Sequence, residues 1–485
     1  MATSQHVDVL IVGAGLSGVG AACHLQRTLP GTSFAILEAR DTIGGTWDLF
    51  RYPGIRSDSD MFTLGYRFKP WPEQEAIADG PSILRYVRRT AEEYGVPEHI
   101  RFGHKVVRAE WSSDDARWTV TAKHGRKTVR LTCNFLWSCS GYYDYDAGFT
   151  PQFTGIEQFT GTVLHPQHWP SDVDYRGKRV VVIGSGATAV TLVPAMAHGD
   201  DAAEHVTMLQ RSPSYIFTAP ASDPVANAVR RVLPEKAAYA ANRWRSVLLQ
   251  TAIYRLSRRN PKLVRDLLRR MTRRQLPPGY DVDRHFSPDY DPWDQRMCLV
   301  PDGDLFRSIR MGKVDVVTDH IDTFTDKGVR LRSGVELPAD VVVTATGLNL
   351  KAFGGVRLSV DGDDVELADR MAYKGMMLSG VPNFAYVIGY TNASWTLKAD
   401  LACEYVCRVL DHMRRGGHQR CVPVADPAVT PEPFIDLKSG YVLRSLDQLP
   451  KQGDRTPWKL RQNYLRDIPA LRHAAVDDGV LAFSR

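Results

Sequence analysis

Two glycine-rich turns hold the first residues in this chain whose types and spacing can do chemistry. Val9-Leu10-Ile11-Val12 is a short apolar run that enters Gly13-Ala14-Gly15-Leu16-Ser17-Gly18, and helical spacing follows to Gln26. Strand, tight turn and helix in that order aim unpaired N-terminal amides at one point, where phosphate charge is favoured. Gly13 permits the turn, Gly15 lets the backbone approach a pyrophosphate with Ser17 beside it, and Gly18 allows close helix packing. A second apolar run, 33–37, ends at Glu38, twenty residues after Gly18, where a carboxylate can accept hydrogen bonds from ribose hydroxyls. These residues specify a dinucleotide site. The grammar returns about 170 residues later, where Arg179–Ile183 runs into Gly184-Ser185-Gly186-Ala187-Thr188-Ala189, with Ala in place of the third glycine. The next run, 205–209, reaches Gln210-Arg211-Ser212, which puts Arg211 where the first unit carries its acid. An Arg there suits a 2′-phosphate, so the second site is assigned to NADPH and the first to FAD; the alternative is NADH, with Arg211 a solvated charge.

Positioning two such turns takes two parallel sheets. We expect an α/β protein with two Rossmann-like dinucleotide-binding domains, one for FAD and one for NADPH, plus a helical insertion. The FAD-binding domain is expected over 1–150 and 351–485, the NADPH-binding domain over 151–212 and 296–350, and the insertion over 213–295. The length of 485 residues suits about three domains, and 43% hydrophobic with 24% charged residues excludes a disordered or collagen-like chain. The net charge is only +6, yet 230–274 holds fourteen Arg or Lys against Glu235 and Asp266, a local balance of +12. There Trp244, Val247, Leu248, Leu249, Ile253 and Tyr254 interleave with Arg243, Arg245 and Arg255, which predicts an amphipathic helix with a basic outer face. It is expected to be a solvated cap over the substrate pocket, the alternative being peripheral contact with an anionic membrane; a nucleic-acid partner is not expected. Lys459–Arg485 reads as a surface tail. No signal peptide or spanning segment is evident, which suggests the cytoplasm.

With two dinucleotides in one chain, NADPH reduces FAD, and the acceptor of the electrons decides the reaction. The seven Cys contain no C-x-x-C pair, so neither disulfide reduction nor a Cys-held metal is expected, and oxygen or a quinone is left.

Phe159-Thr-Gly161-Thr-Val-Leu-His165-Pro-Gln-His-Trp169-Pro170 resembles the F-x-G-x-x-x-H-x-x-x-W-P/D fingerprint of type I Baeyer–Villiger monooxygenases. Gly44-Gly45-Thr46-Trp47-Asp48-Leu49, continuing through Tyr52-Pro53-Gly54 to Asp58, is similar to a second segment of that family. The stretches 291–301 and 371–380 extend the likeness over nearly the whole chain, to a bacterial branch that oxidises thioamides. The resemblance implies conversion of ketones to esters or lactones with O2 through a flavin C4a-peroxide, and sulfur oxidation of thioamides or sulfides. It also implies a catalytic Arg296, oriented by Asp58, whose fixed charge serves both the flavin site and NADP. The flavin contacts it implies are Thr46, Trp47, Asp48, Leu49, Arg56, Ser57, Asp58 and Val106. His165 is read as a hydrogen bonder between domains, its fingerprint as a hinge, and Trp395 as a residue near the active site.

Overall fold

In a computed structural model, which describes residues 5–435, 437 and 439–485, the first apolar run becomes the strand Gln5–Val12 at the heart of a nine-stranded sheet. It pairs in parallel with Phe34–Leu37 on one side and Lys127–Ser138 on the other. Its inner residues Val9, Leu10 and Ile11 are buried on both faces, which explains why the run is continuously apolar instead of alternating. The helix Leu16–Thr28 is likewise buried from Leu16 to Leu25, so the sequence there shows no polar stripe. It packs beside the long helix Trp395–Gly416. An antiparallel ribbon, Lys105–Ser112, Arg117–His124 and Lys127–Ser138, extends the same sheet.

The second sheet is wholly parallel, in the order Val314–Thr318, His205–Gln210, Arg179–Ile183, Val341–Thr344, Thr162–Leu164. After it the chain returns to the first sheet, where Arg357–Val360 lies beside Lys105–Ser112 and Phe384–Tyr386 beside Lys127–Ser138. Each glycine-rich turn thus follows the carboxyl end of a parallel strand, the place where such sheets bind ligands.

Two expectations are corrected. The segment 459–485 is not a surface tail: Tyr464, Leu471 and Leu481 are buried in the main core, and Leu481–Ser484 pairs antiparallel with Arg420–Pro423. Arg408 also donates to the carbonyl of Leu471 at 2.7 Å. The helix Glu235–Arg259 exists, with Val247 buried and Arg255 exposed as expected, but the rest of its burial pattern is reversed. Arg243 is buried and donates to the carbonyls of Phe62 and Gly65, both at 2.8 Å, while Trp244, Leu248, Leu249 and Ile253 are exposed. The insertion also contains a strand, Ile216–Ala219, paired with Cys298–Pro301. Among the described residues no helix is long and apolar enough to cross a membrane, and no group of His, Cys, Asp or Glu is arranged to hold a metal.

Candidate functional site

Gly13 sits at φ +98°, and a Cβ there would lie 2.9 Å from the Cys139 carbonyl oxygen. Gly184 repeats this in the second sheet at φ +141°, with its would-be Cβ 2.4 Å from the Ala345 carbonyl oxygen. In each unit the strand is therefore forced into a left-handed turn by backbone from the neighbouring strand, as only glycine allows. The two helices that follow start at Gly15 and Gly186 with no side-chain cap. Their first-turn amides point into one continuous cavity of about 1200 Å³ that both turns line, together with Gly141–Asp146, Gly347, Trp395 and Tyr441. The space beside Gly186 is open, with nothing within 4 Å of a Cβ built there. Uncapped helix starts lining one cavity at both turns fit two bound pyrophosphates.

Glu38 lines the cavity, with Oε2 accepting from the Ala14 amide at 2.6 Å and Oε1 from the Arg40 amide at 2.8 Å. Burial pushes its pKa up against the pull of those amides and of Arg40. The carboxylate braces the turn as well as facing the site, and its remaining lone pairs are the ones left for a ribose. Arg211 is exposed at the cavity wall, and no carboxylate pairs with it among the described residues. The Ser185 hydroxyl donates to the Ser212 carbonyl at 2.9 Å, tying the second turn to the Arg211 strand end.

Arg296 and Asp58 meet, Nε to Oδ2 at 2.7 Å, on the cavity wall. Asp58 is the largest influence on Arg296 and raises its pKa, so the guanidinium is charged at any working pH. Asp58 caps no helix; the neighbouring Asp60 does that, accepting from the Thr63 amide. Three phenols surround the pair. Tyr142 is stacked on Trp395 with ring centroids 5.3 Å apart, Tyr143 follows it in the same loop, and Tyr441 reaches in from a distant segment. Burial holds Tyr142 well above the ordinary phenol value and pushes Tyr441 up to about 12, so both keep their protons as donors. The Trp395 indole N–H donates to the Ser17 hydroxyl at 2.8 Å, which ties Trp395 to the helix that follows the first turn.

The other anticipated contacts divide. Ser17, Thr46, Trp47, Arg56, Ser57, Val106, Ala187 and Thr188 line the cavity. Gly18 and Ala189 lie in the helices behind the turns. Asp48 and Leu49 are buried off the wall, Asp48 because it gathers Arg40, Arg51 and Arg88. Arg56 faces the cavity, but its guanidinium is engaged by Asp304. His165 does not line the cavity; its Nδ1 accepts from the Gln167 amide at 3.2 Å, and burial lowers its pKa against the opposing pull of the Gly347 and Phe149 backbone beside the ring. A further link runs through Gln167, whose side-chain amide donates to the Asp144 carbonyl at 2.7 Å and so joins the 159–170 segment to the tyrosine loop. Sequence reasoning missed the three tyrosines. The available signal was that Tyr142-Tyr143 follows Gly141 at the carboxyl end of the strand Lys127–Ser138.

Comparison with known proteins agrees with this geometry. Residues 6–360 match the flavin-binding monooxygenase-like family. The chain belongs to that family. It is 58% identical to the FAD-containing monooxygenase EthA of Mycobacterium tuberculosis H37Rv, over 99% of this chain and 98% of that protein. It is 49% identical to the probable FAD-binding monooxygenase AlmA of Acinetobacter baylyi, over 99% of this chain and 97% of that one. Among solved structures, OTEMO in complex with FAD and NADP superposes with a TM-score of 0.70 at 25% identity, covering 87% of each chain. This flavin-binding monooxygenase thus shares the architecture of a two-nucleotide enzyme.

Proposed function

We propose that this flavin-binding monooxygenase is an FAD- and NADPH-dependent Baeyer–Villiger enzyme that places one oxygen atom of O2 into ketones to give esters or lactones. The same site would oxidise sulfur in thioamides or sulfides. The observation that carries the reading is the Arg296–Asp58 pair, 2.7 Å apart, in a cavity that runs from one dinucleotide turn to the other. The FAD and NADP of the OTEMO complex, and the FAD in the names of EthA and AlmA, support the cofactor assignment.

The residues that would hold FAD are the amides after Gly15, with Glu38 at the ribose; those for NADP are the amides after Gly186, with Arg211 at the 2′-phosphate. Bound together, the two nucleotides supply the two-electron reduction that activates O2. The chain contributes the rest. Asp58 fixes the direction of the Arg296 guanidinium, whose donors stabilise negative charge that develops on a carbonyl oxygen as its carbon becomes tetrahedral. Tyr142 and Tyr441 remain protonated beside it and add neutral donors, and Trp395 lines the same cavity, stacked on Tyr142.

The test supplies purified holoenzyme with NADPH, O2 and a panel of methyl and cyclic ketones, sulfides and thioamides, and follows product mass. Ketones should gain one oxygen as esters or lactones. Arg296→Ala should lose roughly 10²–10³-fold of that rate while NADPH still bleaches the flavin. Sulfur oxides without any ester would reduce the enzyme to an S-oxygenating monooxygenase, and full activity in Arg296→Ala would remove Arg296 from the chemistry.

A further inference from the structure

The reversed helix Glu235–Arg259 has a cause on its inner face and a consequence on its outer one. Inward it presents Asn242, Arg243, Ser246 and Ser257, all buried, with only Ala238, Tyr239 and Val247 as apolar partners. Outward it shows Trp244 at 45%, Leu248 at 54% and Leu249 at 57% exposure, followed by Ile253 and Leu256. Spacings of four put 244 with 248 on one row and 249 with 253 on another, and both rows lie on the exposed side of the helix. Beyond the turn at Asn260 the next helix, Pro261–Gln275, adds exposed Leu263 and Leu267. A soluble helix with its polar residues inside and its leucines in water is the opposite of the globular pattern, so the face is built to be covered.

The charges around it say by what. Exposed Lys236, Arg255, Arg259, Lys262 and Arg270 stand along these helices, with exposed Arg231 on the short helix Pro224–Val232 before them, and none pairs with an acid among the described residues. Only Glu235 and Asp266 oppose them between 230 and 274. Apolar side chains rimmed by unpaired cations match the two layers of an anionic bilayer surface, acyl chains beneath and phosphate headgroups above. A protein partner could satisfy the leucines but has no general reason to supply a field of negative charge.

We propose that the outer face of Glu235–Arg259, with the start of Pro261–Gln275, is a peripheral docking surface for anionic phospholipid membranes. It seats the enzyme at a bilayer without crossing it. The surface is independent of which substrate the cavity oxidises.

Co-sedimentation of the holoenzyme with vesicles tests it. Vesicles of equal parts phosphatidylcholine and phosphatidylglycerol should carry the enzyme down at least about tenfold better than phosphatidylcholine alone, with salt weakening the effect. The combined variant Leu248→Ser, Leu249→Ser, Ile253→Ser should lose about tenfold of the partitioning while NADPH oxidation and flavin content stay unchanged. Arg255→Glu with Arg259→Glu attacks only the charge and should abolish the preference for anionic vesicles, which keeps the test decisive if the serine variant folds poorly. Absence of binding by the natural sequence, or equal binding by both variants, overturns the proposal. So does a self-associating natural protein whose serine variant is monomeric, with neither touching vesicles; a second copy would then be the cover.

Discussion

Arg211 is a cation held at a cavity wall with no carboxylate to neutralise it, at the end of the strand that faces the second glycine turn. On the proposed reading a charge left unpaired beside a nucleotide pocket would distinguish NADPH from NADH, since only the former brings a 2′-phosphate. A charge-assisted hydrogen bond contributes about 1.5–3 kcal/mol. Arg211→Ala should therefore raise KM for NADPH by roughly 10- to 100-fold and leave KM for NADH unchanged, as steady-state NAD(P)H oxidation would show. Asp58→Asn keeps the shape of the Arg296 contact and removes its charge; oxygenation should fall by roughly tenfold or more, as product mass against NADPH consumed would show, because Asp58 orients the guanidinium. Cys298 lines the same cavity, but burial pushes its thiol up to about 12. It should resist iodoacetamide near neutral pH in the native enzyme and react only after unfolding, which peptide mass spectrometry would reveal.

At the scale of elements, the glycine turns are local devices and can be broken locally. Gly184→Ala must hold φ +141° and place its Cβ 2.4 Å from the Ala345 carbonyl oxygen, so it should destabilise the second sheet by about 1–3 kcal/mol in urea unfolding and weaken NADP binding. Because a strand–turn–helix unit is set by residues adjacent in sequence, both units were legible before any coordinates. So was the Arg296–Asp58 pair, though only through resemblance, since 238 positions separate its members and no periodicity links them. The tyrosines around Arg296 were not legible: Tyr142 lies in a loop and Tyr441 enters from far along the chain, and loop placement is a tertiary outcome. The reversal of Glu235–Arg259 escaped for a related reason. Periodicity shows that a helix has two faces, and hydrophobicity normally tells which is inside, but here the carbonyls of Phe62 and Gly65 and the carboxylate of Asp400 call Arg243 inward.

The whole molecule is tied together at Asp400. Its carboxylate, on the helix Trp395–Gly416, is hydrogen-bonded to His24 of the first helix at 3.2 Å and to the Arg67 amide at 2.8 Å. The Arg243 guanidinium of the insertion reaches it at 3.2 Å. Insertion, first sheet and C-terminal region thus share one buried anion. Burial alone would raise the pKa of Asp400, but the hydrogen bond and charge of His24, the charge of Arg243 and the Arg67 amide outweigh it and hold the group below the ordinary carboxylate value. A depressed folded pKa contributes stability that is fully present above the unfolded value, about 3.9, and is lost as pH falls through the lower folded value. The native protein should therefore keep its insertion docked at neutral pH and lose it on acidification below about pH 4. Asp400→Asn leaves Arg243 buried without its counter-charge and should cost about 3–5 kcal/mol at pH 7. Measured by urea unfolding from neutral to acid pH, the gap between the natural protein and Asp400→Asn should narrow as the Asp400 carboxylate protonates. A gap that stays constant into acid would mean that the anion does not join these segments, and that Arg243 is held by the backbone carbonyls alone.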